Sequence, residues 1–482
     1  MNSALVPKEI ALFLRPHEIR GVHDVHFVNY RAKNQIRKNS PVEIVIPGSS
    51  ADLVLLSHSR LHTKLRILNE NGTPIGFNED GQTEDVSLQN LIAHTIWRQI
   101  DLQLNGQIVS PNISVNYPYK AYIDVLVDFT KEQKEGGLLE GHGFYRDRAT
   151  MFDSVGNTGH VSRNELTEHG QIVDFEAPLF LDVCKQNRAI LNGVEILIKA
   201  YQSADEFRLF THNEKTYQVE IIDCFYRACH IKLDPAAVIA INEQLKRSPA
   251  IYPLMTSSVK AYTIPSQSFT YALEDLFNSY VPAVLYVTFV TSVAYSGDFK
   301  RNPFHFRHFK VNYLDFSVDG KSVPGEALTP NFTEQLRWRD ESGTGDETVP
   351  AGAEKIDGKY ISTGFVNEFM NFCSPRTGSS TSGGGGCGGS TRTGGASNTS
   401  GGGAEGDQHA ADISRFDFAN GYAVFAFRLK HYLSQEAFSK LRRGYTRLNL
   451  RFAEALDEPV TVLVYGQFEN QFEIDLVRNV AL

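Results

Sequence analysis

The stretch Ile96-Trp97-Arg98-Gln99-Ile100-Asp101-Leu102-Gln103-Leu104-Asn105-Gly106-Gln107-Ile108-Val109 constrains the chain most, because it returns, transformed, as Phe309-Lys310-Val311-Asn312-Tyr313-Leu314-Asp315-Phe316-Ser317-Val318-Asp319-Gly320-Lys321-Ser322-Val323. Apolar residues fall on every second place, Leu102 and Leu104 in one and Phe316 and Val318 in the other, the period of a half-buried strand. Each strand ends in a dipeptide, Asn105-Gly106 or Asp319-Gly320, that accepts positive φ at low steric cost and so fits a two-residue hairpin turn. The turns are 319 − 105 = 214 residues apart, about the length of one large β domain.

Further matches follow in the same order. Behind the first hairpin, Pro118 and the helical spacing of Tyr119, Tyr122, Ile123 and Leu126 predict a short helix, and 360–370 offers a second one after the later hairpin. Gly193–Ala200 resembles Tyr445–Phe452, and Tyr217–Ile222 resembles Val460–Tyr465. The offset there has grown to 445 − 193 = 252, mostly through one glycine-rich insertion. A duplicated β domain accounts for the series. The plainer alternative is that any two antiparallel β domains show alternation and NG or DG turns.

Composition excludes several classes. Hydrophobic residues make up 41% and charged residues 21%, without an apolar run of about 18 or more, so a soluble globular chain is expected and no membrane span. The start at Met1-Asn2-Ser3-Ala4 lacks the order of a secretory signal. Cys184, Cys224, Cys229, Cys373 and Cys387 are too scattered for a disulfide framework, which points to synthesis in a reducing compartment. The net charge of −9 argues against a general polyanion binder. Residues 1–38 depart from this balance: seven Lys and Arg against three Asp and Glu leave +4. This stretch is read as an N-terminal arm whose Arg31, Lys33, Arg37 and Lys38 are candidates for non-specific contact with nucleic acid, with an ordinary solvated terminus as the equal alternative.

The expected organisation is an arm at 1–38, a first β domain at 39–233, a linker helix within 234–256, and a second β domain at 257–482. The linker signal is strong, with Asp234 as cap, Pro235 in the first turn, alanines after it and Lys246-Arg247 at the end. The Gly/Ser-rich stretch 377–406 cannot bury enough apolar surface to order itself and reads as a loop inserted into the second domain. Cys387 within it is exposed by context.

No catalytic signature is present: there is no HExxH, no GK[ST] phosphate loop and no GxSxG. His305 and His308 stand three apart, but the segment alternates like a strand entry and lacks a third ligand, so no metal site and no cofactor is expected. His142 with Asp147, and Asp124 with Asp128, read as solvated loop and helix-face residues rather than acid/base pairs.

Together Ser40–Gly48, Ser59–Ile67, Asn90–Trp97, the NG hairpin and Tyr117–Tyr122, then Ser296–Phe306 through Val318-Asp319-Gly320, resemble the major capsid proteins of Polinton (Maverick) elements and adintoviruses. The resemblance implies an all-β double jelly roll, two eight-stranded antiparallel sandwiches in tandem with short helices in loops. It also implies a non-enzymatic structural protein of a dsDNA virus: a homotrimer of pseudo-hexameric outline that tiles an icosahedral capsid. Its partners would be itself, a penton or minor capsid protein and packaged DNA, and its place the virion, after synthesis inside the host cell. The excursions at 130–188 and 321–420 would face outward and the basic arm inward. The Gly/Ser tract departs from the family's usual pattern. The alternatives are a lectin-like carbohydrate-binding β-sandwich and a capsid-derived protein retained by a host.

Overall fold

The computed structural model describes residues 21–38, 40–48, 51–76, 84–110, 116–323, 325–332, 337–339, 346–348, 359–361, 365, 372, 413–429 and 442–481. The glycine-rich stretch 377–406, with Cys387, lies outside them, as does most of the helix expected at 360–370, whose described start belongs to the strand Lys359–Ile361.

Alternation of the kind seen at Val42–Ile46, where every second residue is buried, builds the first sandwich. Its strands are β1 (Val22–Arg31), β2 (Val42–Ile46), β3 (Leu53–Asn69), β4 (Trp97–Leu104), β5 (Gln107–Ile108), β6 (Val173–Ala177), β7 (Ile196–Gln202) and β8 (Tyr217–Leu233). They form two sheets, ordered β1-β8-β3-β6 and β2-β7-β4-β5. The second sandwich uses β9 (Ala250–Ile264), β10 (Thr270–Glu274), β11 (Val284–Thr291), β12 (Val311–Val318), β13 (Lys321–Ser322), β14 (Val424–Arg428), β15 (Thr446–Phe452) and β16 (Val460–Ile474). Its sheets run β9-β16-β11-β14 and β10-β15-β12-β13, so every strand sits where its counterpart eight strands earlier sits. This is the jelly-roll order, twice.

The Asn105-Gly106 and Asp319-Gly320 hairpins are β4-β5 and β12-β13, and their turns are equivalent in detail. Asn105 and Gly106 have φ of 47° and 81°, Asp319 and Gly320 of 51° and 78°, the left-handed pair a type I′ turn requires. In both rolls the first turn residue also hooks onto the residue just before the facing strand. The Asn105 N–H donates to the Glu195 carbonyl at 2.9 Å and receives the Glu195 N–H on Oδ1 at 2.7 Å; Asp319 makes the same pair with Tyr445 at 2.9 and 2.8 Å. Both β4 and β12 carry a bulge at their start, between Trp97 and Gln99 and between Val311 and Tyr313. Repetition at this level favours duplication over a chance likeness of two β domains.

Two differences from the sequence reading have physical causes. Val22–Arg31, placed there in an arm, is the edge strand β1, paired in register with Phe225–Leu233. Its alternation is masked because the outward positions carry Val25 and Phe27 while His23 and Asp24 interrupt the pattern. The second run begins at Ala250 rather than at 257; Pro253 hid it, and proline is tolerated because β9 is an edge strand.

Helices fill the connections: α1 (Tyr117–Asp128), α2 (Thr158–Thr167), α3 (Asp182–Lys185), α4 (Pro235–Leu245) and α5 (Arg415–Asn420). The linker helix α4 lies where its caps predicted. Helix α1 is buried on every side rather than along one stripe, with eleven of its twelve residues inside, and it positions the contacts between the two rolls.

Candidate functional site

A helix enclosed on all sides must neutralise its polar residues internally. On α1 these are Lys120 and Asp124, both fully buried. Lys120 Nζ lies 2.8 Å from Asp124 Oδ2 and 3.3 Å from Asp182 Oδ1 of α3, and donates to the Phe180 carbonyl at 2.5 Å. The second roll supplies the remaining partners. Tyr465 of β16 donates its hydroxyl to Asp124 Oδ1 at 2.8 Å, and Ser257 of β9 donates both its N–H and its hydroxyl to Asp182 at 2.7 and 2.6 Å. Lys185 adds a second cation at 2.8 Å from Asp124. Burial alone would lower the Lys120 ammonium pKa, but Asp124 and Asp182 outweigh it and hold it above its ordinary value.

Aromatic rings continue the seam. Tyr119 stacks on Tyr295 with centroids 5.5 Å apart and Tyr122 on Phe304 at 4.2 Å. Beyond them Asp153 of the first roll accepts from His305 Nδ1 at 2.8 Å and from the Asn302 N–H at 2.7 Å. The long excursions interlock too: Tyr422 donates to the Asp147 carbonyl at 2.6 Å, and Arg146 pairs with Asp417 of α5 at 2.9 Å. Parts of the excursions expected to face outward therefore lie in the seam.

The residues considered as acid/base pairs are not solvated. Asp124, Asp147 and His142 are buried. Asp147 accepts from Arg163 Nη2 at 3.0 Å and from Asn90 at 3.1 Å, a closed structural network. His142 packs edge-on against His94 with centroids 5.7 Å apart, and burial, aided by the nearby Arg60 charge, pushes its imidazole down to about 4. His305 is committed to Asp153. His308 stacks on Phe332 at 4.0 Å while its Nδ1 accepts the Lys310 N–H. Among the described residues no group of three His, Cys, Asp or Glu is placed to hold a metal.

One arrangement that sequence reasoning missed has the connectivity of a hydrolytic triad. Ser87 Oγ lies 2.6 Å from His160 Nδ1, and His160 Nε2 lies 2.7 Å from Asp85 Oδ1. Access decides against catalysis. Ser87 is fully buried and the carboxylate is the partly exposed end, so no substrate can reach the hydroxyl. The trio ties the loop before β4 to α2.

Arg31 closes β1 and binds both carboxylate oxygens of Asp223 at 2.9 and 2.7 Å. Lys33, Arg37 and Lys38 follow in the β1-β2 connection, where Lys38 pairs with Asp205 at 2.5 Å and Arg37 Nη2 donates to Gln35 at 2.9 Å. Arg31 and Lys38 are thus locally neutralised. All four stand at the end of the first roll from which its long excursion also rises. A genome-facing role for them and an outward role for that excursion are therefore mutually exclusive in one molecule.

A cleft of about 290 Å³ opens between His305–Lys310 and Glu454–Asp457. Its cations are already paired, Arg307 with Glu458 at 3.1 Å and Lys310 with Glu454 at 2.6 Å. The equivalent edge strands offer a different kind of surface. β1 exposes Val25 and Phe27 by 53% and 57%, and β9 exposes Ile251 and Met255 by 42% and 38%, so both rolls present apolar side chains and an unpaired strand edge.

A chain of the Sputnik virophage structure superposes with a TM-score of 0.56 at 9% identity, over 100% of this chain and 93% of that one. The mavirus major capsid protein gives 0.51 at 11% identity, over 100% and 95%. The fold is a double jelly roll. The VP54 protein of PBCV-1, fitted into a Sputnik reconstruction, gives 0.51 at 8% identity over 98% and 99%. In sequence, the chain is 26% identical over 306 residues to the uncharacterized protein F54H12.2 of Caenorhabditis elegans, covering 62% of this chain and 71% of that protein. No family model matches.

Proposed function

We propose that the chain is a major capsid protein. Three copies would associate into a pseudo-hexameric capsomer, each contributing two rolls as neighbouring corners, and capsomers would tile an icosahedral shell around a DNA genome. The observation that carries this reading is the welded pair of equivalent rolls. A chain whose two sandwiches are fixed side by side by a buried ionic and aromatic seam presents the same edge twice, as pseudo-sixfold packing of three chains requires. On this reading residues 22–233 and 250–481 are the two structural domains and α4 joins them. The work is assembly rather than chemistry, located in the virion, with its own copies and a penton or minor capsid protein as partners. Among the described residues no helix is long and apolar enough to cross a membrane.

Two findings together support a Polinton- or adintovirus-type source. The structural likenesses include virophage and mavirus proteins, while the sequence relative is encoded by an animal. The same nematode relative favours the second reading, a capsid-derived protein retained by a host. Light scattering across a concentration series, followed by electron microscopy, tests the proposal. A mass of three chains that persists on dilution, and closed particles on concentration, are expected. A monomer at all concentrations rejects it, and a trimer that never forms particles moves the retained-protein reading forward.

A further inference from the structure

Helix α4 is apolar on the wrong side for a helix that faces water. Its inner face sets Val238, Ile241 and Asn242 against Leu53, Leu191 and Leu233, and Leu245 is buried. The opposite face carries Pro235, Ala236, Ile239 and Ala240, all exposed, Ile239 by 63%. A solvent-facing stripe ordinarily carries charge, and here Glu243 comes only in the last turn. An apolar stripe of this kind is suited to a contact.

The chain itself arrives at this surface. The Asp234 N–H donates to the Gly21 carbonyl at 3.0 Å, and a Cβ built on Gly21 would come within 3.4 Å of Ala237 Cβ, so the backbone meets the first turn of α4 at Gly21. Residues 1–20 lie outside the described residues, and their longest apolar run is Ile10-Ala11-Leu12-Phe13-Leu14, followed by Arg15-Pro16. The lengths agree. Eleven helical residues span about 16 Å, five extended residues also span about 16 Å, and the six from Arg15 to Arg20 supply about 20 Å in which to turn back. From this we infer that residues 10–14 dock on the Pro235/Ala236/Ile239/Ala240 face of α4 in the same chain. The inference does not depend on the shell reading.

The test is photo-crosslinking in the full-length protein with benzoylphenylalanine in place of Ile239. After irradiation and trypsin digestion, mass spectrometry should find residue 239 joined to the peptide Glu9–Arg20, which trypsin leaves whole because Pro16 follows Arg15. A denaturing gel should show no band at twice the chain mass. Adding Leu12→Asp should cut the yield of that crosslink about tenfold with an unchanged circular dichroism spectrum. Joining to Glu9–Arg20 with a double-mass band overturns docking within one chain and assigns the face to a neighbouring copy. Joining to any other peptide, or no crosslink, overturns the inference outright.

Discussion

Replacing Lys120 by Met is the most direct test of the seam, because it keeps most of the apolar stem of the side chain and removes the ammonium with its charge and donors. Asp124 would keep Lys185 at 2.8 Å and the Tyr465 hydroxyl at 2.8 Å, while Asp182 would keep both donors from Ser257. Lost are the contacts at 2.8 and 3.3 Å to the two carboxylates and the hydrogen bond to the Phe180 carbonyl at 2.5 Å. Breaking a buried pair by removing one partner costs about 3–5 kcal/mol. The surviving partners place this case near the lower end, at about 3 kcal/mol, a large part of the roughly 5–15 kcal/mol that holds a domain folded. The pair Lys120→Met with Asp124→Asn takes one negative charge out of the cluster along with the positive one, and should recover about 1–2 kcal/mol of that loss. Denaturant unfolding followed by fluorescence measures both, with Trp97, fully buried in the first roll, as a reporter. A Lys120→Met midpoint within 1 kcal/mol of wild type, or a double variant no better than the single one, would show that the ionic cluster does not hold the rolls together (thresholds of order 1 kcal/mol).

The duplicated turns make a paired prediction: Gly106→Ala and Gly320→Ala should each cost about 1–2 kcal/mol, since φ is positive at both and a Cβ meets nothing within 4 Å; very unequal losses in thermal melts would contradict the equivalence. Burial, together with nearby cations, pushes His142 and His308 down to about 4, whereas unfolded imidazoles titrate near about 6.5. Between those values the unfolded chain binds protons that the folded chain does not, so stability present above about pH 6.5 is lost as pH falls toward 4. His142→Gln and His308→Gln should each flatten that slope in denaturant midpoints measured from pH 7 to 4. On the assembly reading, Phe27→Lys with Met255→Lys should shift the trimer to monomer in sedimentation velocity, because both exposed side chains sit on edge strands; an unchanged trimer would move the interface elsewhere.

The elements readable in the sequence were those whose information is local. The two NG and DG hairpins, the strands leading into β7 and β15, and the caps of α4 are each set within a few residues. What the sequence concealed depends on distant partners. Lys120 and Asp124 look like the solvated side of an amphipathic helix until Asp182 and Tyr465, 62 and 341 positions from the residues they touch, come into place. The Ser87–His160–Asp85 trio was equally hidden, since 73 residues separate the hydroxyl from the imidazole. β1 was concealed differently: its outward positions mix apolar Val25 and Phe27 with polar Asn29 and Arg31, and alternation is informative only when one face is uniformly polar.

Duplication alone does not explain how the two rolls are joined. The turns, hooks and bulges recur in both, yet the charged groups of the α1 cluster do not: α1 and α3 of the first roll bring Lys120, Asp124 and Asp182, and the second roll answers there with the neutral Ser257 and Tyr465. A symmetric seam would have set like charges from the two halves against each other in a space closed to water, where they repel strongly. Concentrating both signs on one roll lets this cluster neutralise itself there, so that the other roll supplies it with hydrogen bonds alone. The asymmetry has a consequence for folding. The first roll with its excursion already contains Lys120, Asp124, Asp182 and Lys185, whereas the second roll leaves the Tyr465 hydroxyl and Ser257 without these acceptors until the two dock. Residues 21–233 expressed alone should therefore hold more native structure by circular dichroism than residues 250–482 expressed alone, and the reverse order would refute this account of the seam.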